Sequence, residues 1–290
     1  MIPLPIAYTD AAPYLFLWVA LGLAMFTDRR LHAAVFIALS LAAAAVAGIV
    51  EWEGFALLAL FAGCCLAAVK PDIPTVLRAL AWGVVVILAV ALATHEVPWI
   101  HNVLVLDEVS VSDSSGNYTL YWNYDKGFAG VLLYFVCVQP QETPHWQRAI
   151  VATGTIAILT AVLAGVAAMA TGFVAWDPKW PAILAVWVPA NLLLTCVAEE
   201  SFFRGLVQRQ LGRFLGGMVP APALVALLVA AVAFGTAHVA GGTTYILLAT
   251  LAGIGYGTAY HLTGRVEAGI LVHFLLNLSH LLLFTYPFAA

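Results

Sequence analysis

Apolar runs of about 14 to 25 residues follow one another along the chain, separated by short clusters of charge, proline and glycine. A bilayer core about 30 Å thick takes about 20 apolar residues of helix. Every backbone polar group inside it must be bonded internally. Cut at the punctuation, the candidate spans are approximately 12–27, 31–50, 54–69, 75–94, 127–140, 149–173, 182–206, 221–240, 243–261 and 266–285. They predict an all-α, polytopic membrane bundle of about ten transmembrane helices, with no internal repeat. Only 9% of the 290 residues are charged and the mean hydropathy is +0.99, against about 25% charged in a soluble domain. That excludes a soluble enzyme and a disordered chain. Eleven Lys and Arg against fifteen Asp and Glu form no basic stripe, so nucleic acid is not an expected partner.

No Lys or Arg precedes the first run, which therefore lacks a signal peptide's charged n-region and reads as an uncleaved span. The short fifth run, between Lys126 and Gln139, could equally be re-entrant or interfacial. Charge bias arbitrates. With all ten runs crossing and the N-terminus outside, Arg29, Arg30, Lys70, Arg78, Arg148, Arg204, Arg209, Arg213 and Arg265 fall inside, and only Lys126 and Lys179 fall outside. Nine against two matches the positive-inside rule, and omitting run five would put the last five arginines on the wrong side. The expectation is a multi-pass protein, placed in a bacterial inner membrane, with both termini and loop 95–126 outside and segment 207–220 inside. Residues 1–145 form N-terminal spans carrying that loop, and 146–290 form the core that holds the chemistry.

Within the loop, Val103 to Val111, the cluster Ser114-Ser115-Gly116-Asn117 and Tyr118 to Tyr124 read as a short β-hairpin. It is either a substrate-recognition flap or a solvated connector with aromatics on the headgroups. Asn117-Tyr118-Thr119 is a sequon too common to carry a function. Cys64, Cys65, Cys137 and Cys196 lie in apolar runs without metal-ligand spacing and read as buried small hydrophobes. Gly253, Gly255 and Gly257 give one run a small-residue face for close helix contact.

The C-terminal half carries ionisable residues at membrane depth. Glu199 and Glu200 follow the run Leu192–Ala198, about 15–20 Å deeper than Arg209 and Arg213 at 1.5 Å per residue. A charge at a helix centre costs about 2.5–3.5 kcal/mol on insertion scales, and such residues usually mark function. Glu200 and Arg204 are i,i+4 and can pair, whereas Glu199 is rotated by about 100° and has no local partner. A helix-to-helix ion lock and a carboxylate resting at the interface are the plainer alternatives. His238 ends Phe234-Gly235-Thr236-Ala237-His238 before Gly241-Gly242, and a full helix from Pro222 would carry it too far outward. That helix must be tilted, start deep or end inside the bilayer. His273 and Asn277, again i,i+4, should reach the depth of Glu199. His32, His95, His101, His145, His261 and His280 lie in loops or near span ends, without matching partners.

Given water access, these groups suit hydrolysis. Glu199, its pKa raised by partial desolvation, would take a proton from water. His238 would orient the water or shuttle protons, and His273 and Asn277 would donate to an oxyanion. No Ser or Cys sits beside a convincing base. Glu199-Glu200-Ser201-Phe202-Phe203-Arg204, Phe234 to His238 and His273 to Asn277 have the forms EExxxR, FxxxH and HxxxN. In this order they resemble the three motifs of the CAAX protease and bacteriocin-processing (CPBP) family, which includes the type II CAAX prenyl endopeptidases. The resemblance spans roughly 180–285. It implies a helical intramembrane glutamic endopeptidase with Glu199 and His238 as the base pair, His273 and Asn277 on the oxyanion side, and Glu200 and Arg204 in support. Its substrate would be a membrane-associated peptide or protein.

Two other readings stay open: a non-catalytic immunity or sorting scaffold that binds a peptide, and a proton-coupled transporter, which no inverted repeat supports. No cofactor is expected. Zinc is the lesser alternative, because the histidines come from separate runs without HExxH spacing.

Overall fold

The computed structural model describes residues 8–138 and 146–289; His145 lies outside them. Helices α1 (Tyr8–Phe26), α2 (Arg30–Val46), α3 (Trp52–Val69) and α4 (Thr75–Ala93) precede a hairpin of β1 (Val103–Val109) and β2 (Tyr118–Trp122). Then come α5 (Tyr124–Cys137), α6 (Trp146–Ala170), one helical run α7 over 184–214, α8 (Pro222–Thr236), α9 (Gly242–Thr263) and α10 (Val266–Leu283). The chain is an all-α bundle apart from the expected antiparallel hairpin, which pairs Val103 with Trp122 and Val109 with Tyr118 across two register shifts.

Among the described residues, six helices are long and apolar enough to cross a membrane: α1, α3, α4, α6, α9 and α10. Helices α2 and α8 are apolar but shorter. The fifth run differs from a lipid-facing span. Twelve of the fourteen residues of α5 are buried, and at 1.5 Å per residue the helix is only about 21 Å long. It packs against α1, α3, α4 and α7 as an internal strut. A Cβ on Gly130 would come within 2.6 Å of the Ala198 Cβ, so α5 and α7 meet backbone to backbone beside the two glutamates.

The N-terminal end of α5 is pinned from three directions. Tyr14 donates its hydroxyl to the Trp122 carbonyl at 2.6 Å, the Ser40 and Tyr124 hydroxyls meet at 2.9 Å, and the Tyr124 amide donates to Asn102 Oδ1 at 2.7 Å. At its other end the carbonyls of Phe135 and Val138 accept from Arg30 and that of Cys137 from Arg209. Two charges counted above as flanking are in fact internal. Arg204 is fully buried, and the Lys126 side chain is only 14% exposed. Without them the charge bias is eight against one, the same asymmetry.

The hairpin tip, the 171–183 connection and the C-terminal tail are clasped together. The Ser115 hydroxyl donates to the Tyr286 carbonyl at 2.7 Å and the Tyr286 amide to Ser112 Oγ at 3.0 Å. The amides of Thr285 and Ala289 donate to the carbonyls of Ala175 and Phe173 at 2.9 and 3.0 Å. The Ser112 hydroxyl and the Lys179 ammonium hold Asp177 below the usual carboxylate range.

Candidate active site

Helix α7 carries the glutamates on a single α-helical turn, Val197–Glu200, between two π-helical segments, Ala190–Cys196 and Ser201–Gln208. Pro189 lies directly before the first of them; a proline lacks the N–H and crowds the carbonyl four residues back. Segments closing i→i+5 bonds are rare and concentrate at functional sites.

The two neighbours point to different surroundings, as their 100° separation requires. Glu200 is fully buried. Its Oε1 accepts from Arg204 Nη1 at 3.1 Å and from His273 Nδ1 at 2.9 Å, and its Oε2 lies 3.1 Å from Arg204 Nε. The guanidinium also donates to the Gly253 carbonyl at 2.6 Å and lies 5.2 Å from the Phe234 ring centre and 5.3 Å from that of Tyr256. A Cβ on Gly269 would stand 3.0 Å from Glu200 Oε2, so this glycine lets α10 approach the carboxylate. The i,i+4 pair expected from the sequence is therefore present, with His273 as a third member.

Glu199 is desolvated as expected, but it is not without a partner as the local sequence suggests. Lys126, from α5, donates to its Oε1 at 2.6 Å. Its Oε2 is buried with no hydrogen-bond partner and lies 3.9 Å from His273 Nε2. His273 thus stands between the two glutamates, one ring nitrogen toward each, with its ring stacked on Tyr256 at 4.4 Å.

His238 follows the end of α8, whose fifteen residues rise only about 22 Å. The helix is shorter than the bilayer core is thick, as a helix that ends inside the bilayer would be. Its Nδ1 donates to the Phe234 carbonyl at 2.8 Å, leaving Nε2 uncommitted. Asn277 Nδ2 donates to Asn191 Oδ1 at 3.2 Å and lies 3.8 Å from Cys196 Sγ. Glu199, His238, His273 and Asn277 all line one cavity of about 600 Å³. Glu200 and Arg204 are not among the residues that line it. Tyr286 of the tail closes one wall, while Ala161, Ala164, Gly165 and Ala168 of α6 keep another wall apolar and small. A second cavity of about 310 Å³ under the hairpin shares Trp187, Asn191 and Thr195 with the first.

Sequence reasoning missed Lys126 and Asn191. Asn191 and Thr195 lie eight and four residues before Glu199, positions that return to the same helix face, so their spacing was a usable clue. Cys196 is buried as expected, although its thiol also meets Asn191 Oδ1 at 3.3 Å. Gly253 and Gly257 face Ala231 and Leu227 of α8, as a packing motif should. Among the described residues no three His, Cys, Asp or Glu side chains converge as a metal ion would need.

Residues 180–279 match the family model described as type II CAAX prenyl endopeptidase Rce1-like. The core of the chain is thus similar to membrane-embedded CAAX proteases, in agreement with the CPBP resemblance of the three motifs. No curated protein and no solved structure matches the chain.

Proposed function

We propose, from the type II CAAX prenyl endopeptidase character of residues 180–279, that this protein is a glutamate-dependent intramembrane endopeptidase cutting a membrane-associated peptide or protein. The observation that carries the reading is Glu199 Oε2, a buried acceptor without a partner, facing His273 Nε2 in the cavity that His238 and Asn277 also line.

Glu199 takes a proton from water as its oxygen attacks the scissile carbonyl carbon. His273, with Nδ1 committed to Glu200, turns Nε2 toward the cavity. From there it donates to the developing oxyanion together with Asn277, one turn further along α10. His238 relays the proton from Glu199 to the leaving amine as the carbon–nitrogen bond breaks. Glu200 and Arg204 hold His273 from behind. Metal is not part of this scheme.

The test uses the full chain in proteoliposomes and a quenched-fluorescent peptide carrying a farnesyl-cysteine three residues from its C-terminus, with the unprenylated peptide alongside. Cleavage of either peptide that survives exhaustive chelation supports the reading, and the ratio of the two rates reports whether the prenyl group is recognised. Loss on chelation with recovery by zinc alone would turn the histidines into ligands.

We further propose that the protein lies in a bacterial inner membrane with the hairpin outside and 207–220 inside. Ser114 and Met218 are exposed, so an impermeant maleimide applied to intact cells should label Ser114→Cys and spare Met218→Cys. The reverse pattern would invert the topology.

A further inference from the structure

Each glutamate of the site has its own cation: Arg204 for Glu200 and Lys126 for Glu199. The first pair lies within one helix and inside the segment similar to CAAX proteases. The second reaches across to α5, outside that segment, and its role is not given by the motifs. We propose that Lys126 is a positioning residue for the general base: its ammonium holds one oxygen of Glu199 so that the other is presented to the cavity. The inference rests on the reading of Glu199 as the base.

Three features support it. The ammonium is committed to Glu199, and both oxygens of the adjacent carboxylate are engaged by other donors. Asp125 is fully buried, with its Oδ1 taken by the Lys126 amide at 2.7 Å and its Oδ2 by His95 Nδ1 at 2.8 Å and Asn102 Nδ2 at 3.0 Å. The lysine is carried on a rigid base, since Gly130 lies one turn along α5 against the backbone of Ala198, next to Glu199. The contact is also exclusive to one oxygen: Oε1 takes the ammonium, and Oε2 is left buried, unpartnered and 3.9 Å from His273 Nε2. A glutamate has three rotatable bonds, so a free carboxylate would sample several orientations. A charge-assisted bond from a fixed helix selects one of them.

The test is kinetic, in proteoliposomes with the farnesylated peptide. Lys126→Met, a neutral side chain of similar length, should lower kcat by about 100-fold, the size of effect that a misplacement of about 1 Å produces, with KM changed less than about twofold. Lys126→Arg should recover most of the rate. Lys126→Ala should regain about tenfold with added ethylammonium, which can donate to Glu199, and nothing with tetramethylammonium, which cannot. A purely packing role for the lysine would leave the ammonium salts without differential effect. Full kcat in Lys126→Met, or a loss that neither arginine nor ethylammonium restores, overturns the proposal. Glu199→Gln separates the two levels. If it is inactive while Lys126→Met is fully active, only the positioning role falls. If it is itself active, the assignment of the base falls as well.

Discussion

Glu199→Gln should abolish hydrolysis while the protein accumulates and folds as before. The amide keeps the size of the carboxylate and an oxygen that can accept from Lys126, so the local packing survives. It cannot take up a proton from water, and general-base catalysis is worth about 10²–10⁴-fold. The expected result is a fall of that order in kcat, measured on the reconstituted protein, with little change in peptide affinity or thermal midpoint. A variant retaining more than about a tenth of the wild-type rate would remove Glu199 from the proton-transfer step.

The adjacent substitution should fail in a different way. Glu200 is fully buried between Arg204 and His273. In Glu200→Gln the guanidinium, itself fully buried, loses its carboxylate partner. Removing one member of a buried pair typically costs about 3–5 kcal/mol, because the other is left as an uncompensated charge. The thermal midpoint should drop strongly in a detergent melt, and the yield from membranes should fall with it. Activity should also fall in the folded fraction, since His273 Nδ1 loses its acceptor. Because the cost lies in the orphaned cation, Glu200→Gln combined with Arg204→Met should melt higher than Glu200→Gln alone. Wild-type stability in the single variant would discard the ion pair as a structural element.

The contrast between these neighbours was legible in the sequence because a helix turns about 100° per residue, and i,i+4 spacing identified the Glu200–Arg204 pair. Hydrophobic alternation located the hairpin for the same reason, a fixed geometric period. What stayed hidden depended on contacts between distant segments. Lys126, at the edge of a polar loop and a short apolar run, looks identical to a charge flanking a membrane span. Only the packing of α5 inside the bundle turns it toward Glu199. That burial is hidden from the sequence as well, since a helix surrounded by other helices is as apolar as one facing lipid and differs mainly in length. The π-helical segments around Val197–Glu200 were equally hidden, because residue spacing alone does not distinguish an i→i+5 turn from an i→i+4 turn.

The clasp between hairpin and tail has an arithmetical consequence. Five hydrogen bonds hold residues 285–289 to Ser112, Ser115, Phe173 and Ala175, and Tyr286, Pro287 and Phe288 form part of the cavity wall. At a net value of about 0.5–1.5 kcal/mol each, peeling the tail away costs about 2.5–7.5 kcal/mol. The peeled form is then a minority of about one molecule in seventy or fewer. A ligand that enters only through that form has its apparent affinity weakened by the same fraction.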